Sequence, residues 1–432
     1  MITSNSPSTL TDANRPIRLR FAFGRPVLEN LLLVQHVSGV ETMFGGIDYS
    51  LLCVSTRAGL ALKQFIAAPV AVDFVTDSGK LRSVCGIVVA AMEGQSDGGL
   101  ASYRLVVRDA FSMLDQTCNT RVFRGHNELE ITHILLKEWR LANPVAARAF
   151  SYTMNGLKDY PARAFTMQYN ESTGAFLRRL WKRRGIAWFI RSGSGMPGHD
   201  GTTPAHTLVL FDNATRLPQN AAGTVRFHRD SATESHDTIT AWHGIRTLTP
   251  GSVTRRAWDY IPAATYSSED INVNDQGVLG KQFAASLDDY LIDAPHTGRD
   301  GFDYRHIGLS RMLRHEYDAR CFQGEGSDRN MCVGEWNTIT GHPEIDRHPP
   351  EGRDFVITEM RVEADNNLPK DVDDKVRKLF RLNHWRESDA GLEQASMERG
   401  VRYTNRFTCV RRGIQIVPHY DPRTDLPRTE MQ

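Results

Sequence analysis

Apolar and polar side chains alternate along much of the first hundred residues. Every second residue from Ile17 to Phe23 is apolar, and a period of two is typical of a strand with one buried face. Similar segments, several of them separated by Gly- or Pro-containing breaks, lie at residues 29–37, 47–55, 70–76, 81–91 and 103–108. Short strands with turn signals between them predict an antiparallel barrel or sandwich.

The pattern changes to a helical period in the middle of the chain. Asn127 and Glu130 predict a capping box at the start of one helix. A second helix is predicted to begin near Ser172 and to end at Gly185, because apolar residues form one stripe between them. Strands follow this helix, so the section is predicted to be α+β.

Strand-like alternation returns after about residue 237. It is interrupted by a predicted helix around Ile307 and Met312, and by residues 366–395, whose polar and charged sequence predicts an irregular excursion. Residues 402–421 are predicted to be extended. Two strand-rich regions on either side of a mixed one raise the possibility of a duplicated barrel, although the letters show no internal repeat.

Composition excludes several classes of protein. Lys and Arg total 52 against 51 acidic residues, so the net charge of +1 provides no overall field for nucleic acid or an anionic membrane. The N-terminus lacks the apolar run of a signal peptide, and no stretch approaches the ~20 apolar residues of a membrane span. We therefore expect folding in the cytoplasm and export, if any, by a route that needs no signal peptide.

Three patterns resemble cofactor or metal motifs but lack required residues. Gly193, Gly195 and Gly198 spell a dinucleotide motif, yet the sequence that follows predicts a loop and a strand instead of a helix. Gly280 with the lysine after it lacks the partner residues of a phosphate loop, and His315-Glu316 lacks the second histidine of a zinc helix. We predict no metal and no cofactor.

Two further patterns have both a functional and a plain interpretation. Asp288, Asp289 and Asp293 could supply a carboxylate pair for glycoside hydrolysis, but acidic runs are more often solvated. The basic residues around Trp181 could hold nucleic acid, but that tryptophan shares the apolar stripe of its helix. We favour a basic helix face that is turned to solvent or to a partner.

The most specific feature is a gapless run in the middle section. It reads Y-x-x-R, then QY-x-ES, then F-L-x-R-L, then G-I. The residues that carry it are Tyr160, Arg163, Gln168, Tyr169, Asn170, Glu171, Ser172, Phe176, Leu177, Arg179, Leu180, Gly185 and Ile186. In this order and spacing the run resembles VgrG proteins, the tips of bacterial type VI secretion needles, within the phage tail hub or late control protein D superfamily.

Further segments extend the resemblance from about residue 17 to 428. Asp259 and Pro262 resemble a strand end of the family, and Asn405, Phe407 and Pro418 resemble its exit strand. Residues 181–184 depart from the pattern, because the family commonly has acidic residues there. The sequence stops at Gln432, before the OB-fold domain and triple-stranded spike of family members, so the resemblance implies a hub portion only.

The resemblance implies a mainly β fold with an α+β middle domain and two similar antiparallel barrels per subunit. The implied divisions are a disordered start at 1–16, a first barrel at 17–115, a middle domain at 116–236, a second barrel with helical or irregular insertions at 237–400, and an exit strand and linker at 401–432. The motif residues are implied to be structural, with no catalytic residue.

The function implied is a structural hub and not an enzyme. A homotrimer would cap the Hcp tube hexamer and carry the spike, effector or adaptor proteins into target cells, with a spike-tip protein as a further partner that the resemblance suggests. It would assemble in the cytoplasm and leave by type VI secretion, without binding nucleic acid or inserting into a membrane. The alternatives are the baseplate hub of a contractile phage or phage-like particle and, from another class, a cell-wall hydrolase.

Overall fold

The computed structural model describes residues 15–22, 31–154, 156–196, 202–229, 236–368, 370–385 and 402–427. The strands are β1 (Ile17–Phe21), β2 (Leu33–Thr42), β3 (Gly46–Ser55), β4 (Pro69–Val75), β5 (Leu81–Ser96), β6 (Ala101–Arg108), β7 (Cys118–Phe123), β8 (Phe150–Thr153), β9 (Thr166–Ser172), β10 (Ala187–Ser192), β11 (His206–Phe211), β12 (Gln219–Arg226), β13 (Ile239–Arg246), β14 (Ser252–Asp259), β15 (Ala264–Ile271), β16 (Asp288–Ile292), β17 (Arg320–Gly326), β18 (Trp336–Thr340), β19 (Asp354–Asp365) and β20 (Tyr403–Arg411). The helices are α1 (Glu128–Ala142), α2 (Pro144–Ala149), α3 (Thr173–Arg184), α4 (Gly277–Ala284), α5 (Gly301–Asp318), α6 (Lys370–Leu382) and α7 (Pro422–Asp425).

The first six strands form the first barrel. Antiparallel ladders join β2 to β3, β3 to β6, β6 to β5, β5 to β4, and β4 to β1. Alternate side chains of β3, such as Tyr49, Leu51 and Cys53, are fully buried in the core. The period of two in the sequence therefore predicted these strands correctly, and of the two architectures that it left open, a barrel or a sandwich, the structure has the barrel. Phe23, the last residue of the first alternating segment, lies outside the described residues.

Strands from distant parts of the chain form the second barrel. Antiparallel ladders join β18 to β19, β19 to β20, β20 to β17, and β17 to β13. β12 pairs in parallel with β18, and a bridge between Phe227 and Ile239 joins the end of β12 to the start of β13. The ring of six strands is thereby closed.

The two barrels share one circular strand order. Numbered by their order within each barrel, both sets of strands follow the path 1-4-5-6-3-2. They differ in the direction of the first strand, because β1 is antiparallel to β4 whereas β12 is parallel to β18. The expected pair of similar barrels is confirmed, although one strand of the second barrel departs from the antiparallel pattern.

The barrels are joined edge to edge by one ladder. Residues His36 to Thr42 of β2 pair with Glu359 to Asp365 of β19, so ten strands follow one continuous path. Asn366, directly after β19, bonds Ile17 and Val34 and so bridges β1 and β2 of the first barrel. A residue that directly follows a strand of the second barrel therefore completes the first barrel.

Local sequence signals fix the helices of the middle section. The predicted capping box is present, since the Asn127 side chain accepts a bond from Glu130 N and the Glu130 carboxylate accepts one from Asn127 N. Ser172 caps α3, and Gly185 ends it in the left-handed region at φ 69°. Strands β7 and β9 pair beside these helices, and β8, β11 and β10 form a separate small sheet.

Residues 247–319, between β13 and β17, form a separate layer that we call the insertion module. Its strands β15, β14 and β16 make a three-stranded sheet, and α5 packs on one face of it. The helix predicted around Ile307 is confirmed as α5. Strand β12, from the expected middle domain, and β20, from the expected exit segment, both pair inside the second barrel; the division limits themselves stay a prediction.

The expected irregular excursion at residues 366–395 is wrong for its first half. Residues 370–382 form α6, whose Val376, Leu379 and Phe380 cover Leu52 and Val54 on the outside of the first barrel. The spacing of these apolar residues is helical and could have been recognised in the sequence. None of the helices in the described ranges is long and apolar enough to cross a membrane.

Candidate assembly surfaces

The sequence motif around α3 is a buried structural element. Glu171 and Arg179 form an ion pair in which both side chains are about nine-tenths buried. Gln168 donates to Glu171 O at 3.1 Å, and Asn170 takes a positive φ of 43° in the turn between them. These contacts hold the end of β9 against the start of α3, so the motif specifies how a strand enters a helix.

Most of the motif residues lie in the core. The fully or nearly buried ones are Tyr160, Gln168, Phe176, Leu177, Arg179, Leu180, Ile186, Asp259, Asn405 and Phe407. Tyr169, Glu171 and Ser172 are partly buried at the end of β9, Asn170 between them is exposed, and Pro262 is exposed in the turn after β14. Pro418 is buried beside the last segment of the chain. This placement supports a structural role, which stays a prediction for the individual residues.

Two motif residues from distant segments meet at one loop. Arg163 donates to Thr297 O at 2.7 Å and to His296 O at 3.2 Å. Asp259 lies 3.2 Å from the His296 ring and also accepts a bond from Ile261 N. These contacts fasten the insertion module to the middle section. Arg163 and Asp259, which take part in them, belong to two separate segments of the sequence that resemble the family.

The basic end of α3 does not face solvent, which corrects the expectation for that helix. Arg184 is fully buried and bonds both Glu128 of α1 and Asp303 of α5. Arg183 also bonds Glu128, and Lys182 bonds Asp425 of α7. The sequence could not show this, because the carboxylates come from three other elements. Trp181 is in the core, as expected, and packs against Trp188 and Phe111.

The buried charges of this cluster perturb one another. Burial by itself raises the pKa of Glu128, but the charges of Arg184 and Arg183 outweigh it, and the pKa is lowered. The cluster therefore keeps its carboxylate ionised although Glu128 is fully buried. It joins α1, α3 and α5, and removing one partner would leave an unpaired buried charge.

The three aspartates considered for hydrolysis make separate contacts. Asp288 is exposed and bonds Ser252, whereas Asp289 bonds His315 at 2.8 Å and Arg311 at 2.7 Å. The hydrogen bond from His315 is the main cause that lowers the pKa of Asp289. Asp293 bonds the Tyr304 hydroxyl, and burial raises its pKa. Each carboxylate thus has a structural partner of its own.

The other motif-like patterns also lie in structural elements. Gly280 and Lys281 are inside α4, and His315 and Glu316 are inside α5. Gly193 and Gly195 follow β10, while Gly198 lies outside the described residues. No group of three or more His, Cys, Asp or Glu side chains is placed to hold a metal ion in the described part of the chain.

The insertion module exposes an unusual amount of apolar surface. Most of the large apolar side chains that remain exposed in the described ranges belong to it; they are Leu248, Trp258, Tyr260, Ile261, Ile271, Val273, Val278, Leu279, Phe283, Tyr290, Ile292, Phe302 and Leu309. Concentrated exposed apolar surface is typical of contacts with other proteins. Sequence reasoning missed this surface, since alternation alone does not tell which face of a strand is covered.

The outer face of the module's sheet and helix α4 carry this surface. Inward residues of β14 such as Val253 and Ala257 are buried, whereas Trp258 points outward on the same strand. Leu279 and Phe283, one turn apart on α4, are 80% and 61% exposed. A sheet face and a helix face are therefore left without an internal partner among the described residues.

Comparison with known protein families shows which family this chain belongs to. The family described as phage tail baseplate hub (GPD) matches residues 40–368, which is most of the chain. The chain belongs to the phage tail baseplate hub family. This hub match covers the middle section, the insertion module and most strands of both barrels, and it leaves out β1 and β20.

Curated relatives confirm the resemblance of this hub protein to VgrG proteins. The type VI secretion system spike protein VgrG5 of Pseudomonas aeruginosa is 26% identical over 310 residues, which is 71% of this chain and 36% of the relative. The spike protein VgrG4b of the same organism is 24% identical over 360 residues, which is 81% of this chain and 42% of the relative. The chain thus spans less than half the length of these relatives.

Solved structures share the fold of this hub protein. A tail protein from Neisseria meningitidis has a TM-score of 0.57 at 11% identity, with 93% of this chain and 98% of that chain covered. An Escherichia coli type VI secretion component, described as structurally similar to the bacteriophage T4 tail proteins gp27 and gp5, has a TM-score of 0.56 at 14% identity, with 93% and 79% covered. The hub fold therefore extends over nearly the whole chain.

Proposed function

We propose that this chain is the hub of a type VI secretion needle tip. Three copies assemble into a ring, seat on the hexameric Hcp tube, and carry a spike and effector or adaptor proteins into target cells. The assembly forms in the cytoplasm and is exported by the secretion machine itself. The role is structural and not enzymatic, in keeping with the names of the relatives as spike and tail proteins.

The shared strand order of the two barrels is the observation that carries this proposal. Because both barrels follow the same circular path and are joined edge to edge, three copies present six similar barrels. A ring of that kind matches a hexameric tube on one side and a threefold spike on the other. A single kind of chain can thereby connect a sixfold tube to a threefold spike.

The exposed apolar face of the insertion module is the proposed contact between copies. In a threefold ring this face of one copy contacts a different face of the next copy, and the same contact is repeated in every subunit. Burial of several large side chains supplies the free energy that a stable interface needs. The surface includes Leu279 and Phe283 on α4 and Trp258 on β14.

The oligomeric state of the purified chain tests this proposal. Light scattering after gel filtration should give the mass of a trimer. The double variant Leu279→Glu with Phe283→Glu should give monomers that keep the circular dichroism of the wild type. Leu141→Glu is the matched control, since Leu141 on α1 is 79% exposed against 80% for Leu279, and it should leave the trimer intact. A wild-type chain that stays monomeric at high concentration would contradict the ring.

Binding to the tube protein tests the secretion role. Purified chain should bind Hcp hexamers in a pull-down, and the monomeric double variant should bind much more weakly because it presents two barrels instead of six. Failure of a verified trimer to bind Hcp would favour the second candidate, a baseplate hub of a contractile phage or phage-like particle. The high coverage of the Neisseria tail protein supports that candidate, and head and tail-fibre genes beside the coding sequence would decide for it.

A direct assay tests the absence of enzymatic activity. The purified chain should release no soluble fragments from peptidoglycan. If it does release them and Asp289→Asn abolishes the release, the structural role is incomplete and the hydrolase alternative is revived.

A further inference from the structure

The open end of the second barrel carries three arginine side chains in one row. Arg246 of β13 stands opposite Arg320 of β17. β17 pairs with β20 as far as Phe322 and Cys409, and the same register, extended by two residues, places Arg411 beside Arg320. Three like charges on neighbouring strands repel one another unless an anion lies between them.

The guanidinium groups lack carboxylate partners among the described residues. Neither Arg320 nor Arg411 forms an ion pair there, and the Nε atoms of both are buried without a hydrogen-bond acceptor. Arg246 donates only to the carbonyl of the residue before it. Burial lowers the pKa of Arg411, and the charges of Arg246 and Arg320 lower it further. Buried donors without acceptors are rare in folded proteins and point to a missing partner.

An aromatic floor and a cavity complete the site. Arg246 and Arg411 lie over the Phe322 ring at 4.9 and 5.6 Å from its centroid, which fixes their planes. The cavity has a volume of about 360 Å³, and Ile414 adds apolar surface to its wall. That volume fits one or two amino-acid side chains.

We propose that Arg246, Arg320 and Arg411 form a binding site for a carboxylate from an acidic peptide segment of a partner protein. Arginine forks pair with carboxylates in a bidentate geometry, and Phe322 with Ile414 accommodates the aliphatic part of a glutamate or a neighbouring apolar side chain. Glu351 also lines the cavity; its single negative charge leaves the three arginines with a net positive charge, whereas an extended polyanion such as nucleic acid needs a continuous track of cations. The site stands on this geometry alone and does not depend on the proposed hub role.

Calorimetric titration with a defined peptide tests the site. The probe is a blocked pentapeptide with two glutamates around one leucine, and the matched peptide has glutamines instead. The wild-type chain should bind the glutamate peptide with saturation and the glutamine peptide at least about tenfold more weakly. Arg320→Gln and Arg411→Gln should each weaken binding of the glutamate peptide by about tenfold or more, and Arg320→Lys should weaken it less. Arg406→Gln is the matched control, since Arg406 lies on the outside of the same strand β20 and pairs with Glu325.

Thermal unfolding separates a binding role from a structural one. Because Arg320 has no carboxylate partner in the described residues, Arg320→Gln should leave the Tm unchanged or raise it, and it should lose the Tm increase that the glutamate peptide gives the wild type. Equal binding in all four variants, or no saturation at millimolar peptide, would overturn the proposal. So would tighter binding of inorganic phosphate or a single-stranded oligonucleotide, because either result would make this a phosphate site.

Discussion

The two barrels have the same circular strand order but are completed by different means. The first is closed with the help of Asn366, a side chain from the far end of the sequence, whereas the second closes through its own backbone bridge at Phe227. Their corresponding ends also differ. In the first barrel, Phe44 packs on Trp188 of the middle section, while the second barrel leaves the three-arginine row open.

With the binding role proposed for the arginine row, one architecture serves two tasks. A barrel end that is covered from within by aromatic packing contributes to the stability of the chain. An end that is left open with unpartnered charge is available to another molecule. The ring order alone, which both barrels share, does not decide between these uses; the side chains at the barrel ends do.

The largest expected effect tests whether the barrels unfold together. Phe355 of the second barrel is fully buried and contacts the rings of Trp242 and Phe322, so Phe355→Ala should cost about 3–5 kcal/mol. Leu105→Ala in the first barrel should cost about 2–5 kcal/mol. Because one ladder joins the barrels, each variant should shift the same single urea transition, followed by fluorescence and circular dichroism. Two separate transitions, each moved by only one variant, would show that the barrels are independent.

The seam between the barrels should respond to pH. Burial alone lowers the pKa of His36, but hydrogen bonds to Asp365 and Glu363 outweigh it and raise the pKa to about 9. Because the pKa of His36 is higher in the folded state than in the unfolded state, protonation of His36 stabilises the fold. This stabilisation is complete below pH 6.5, the pKa of an ordinary histidine, and it is lost as the pH rises to about 9. We expect a loss on the order of 2–3 kcal/mol over this window, measured by urea unfolding at several pH values. His36→Gln should flatten the dependence, and an unchanged slope would rule out this histidine as its source.

The closure of the first barrel gives a smaller effect. Asn366→Ala removes the bonds to Ile17 O and Val34 O and should cost about 1–3 kcal/mol. Hydrogen exchange should become faster in β1. Asn337→Ala, at a fully buried asparagine of the second barrel, serves as the control and should leave the exchange of β1 unchanged. If both variants affect β1 equally, Asn366 has no special role in closing the barrel.

The smallest effect concerns an exposed ion pair of the first barrel. Arg108 and Asp48 are both about half exposed and 2.7 Å apart, so solvent screens their attraction. Arg108→Gln should change the free energy of unfolding by less than about 1 kcal/mol. A larger loss would mean that this end of the first barrel depends on surface charge, and the contrast with the second barrel would have to be revised.

Much of the local structure could be predicted from the sequence. The alternation around Tyr49 predicted a half-buried strand, and Asn127 with Glu130 predicted a helix start that the structure confirms. Helix α3 was located by its cap at Ser172 and its end at Gly185. These signals act over a few residues, since hydrogen bonds and side-chain periodicity within one segment are enough to produce them.

The candidate sites could not be predicted in the same way. Arg246, Arg320 and Arg411 are far apart in the sequence and meet only because β13, β17 and β20 are neighbours. The basic end of α3 was expected to face solvent or a partner, but Arg184 is buried and bonds Glu128 and Asp303 from other helices. No local pattern encodes which distant carboxylate reaches a buried cation.

The sequence by itself determined many of the strands, the start of α1, both ends of α3 and, through the run from Tyr160 to Ile186, the resemblance to the hub family. Tertiary structure alone decided the equal circular order of the barrels, the reversed direction of β12, the closure of the first barrel by Asn366 and the open arginine row. The physical reason is distance along the chain. Capping and periodicity are properties of neighbouring residues, whereas strand pairing, charge burial and exposed faces depend on contacts between residues that are distant in the sequence.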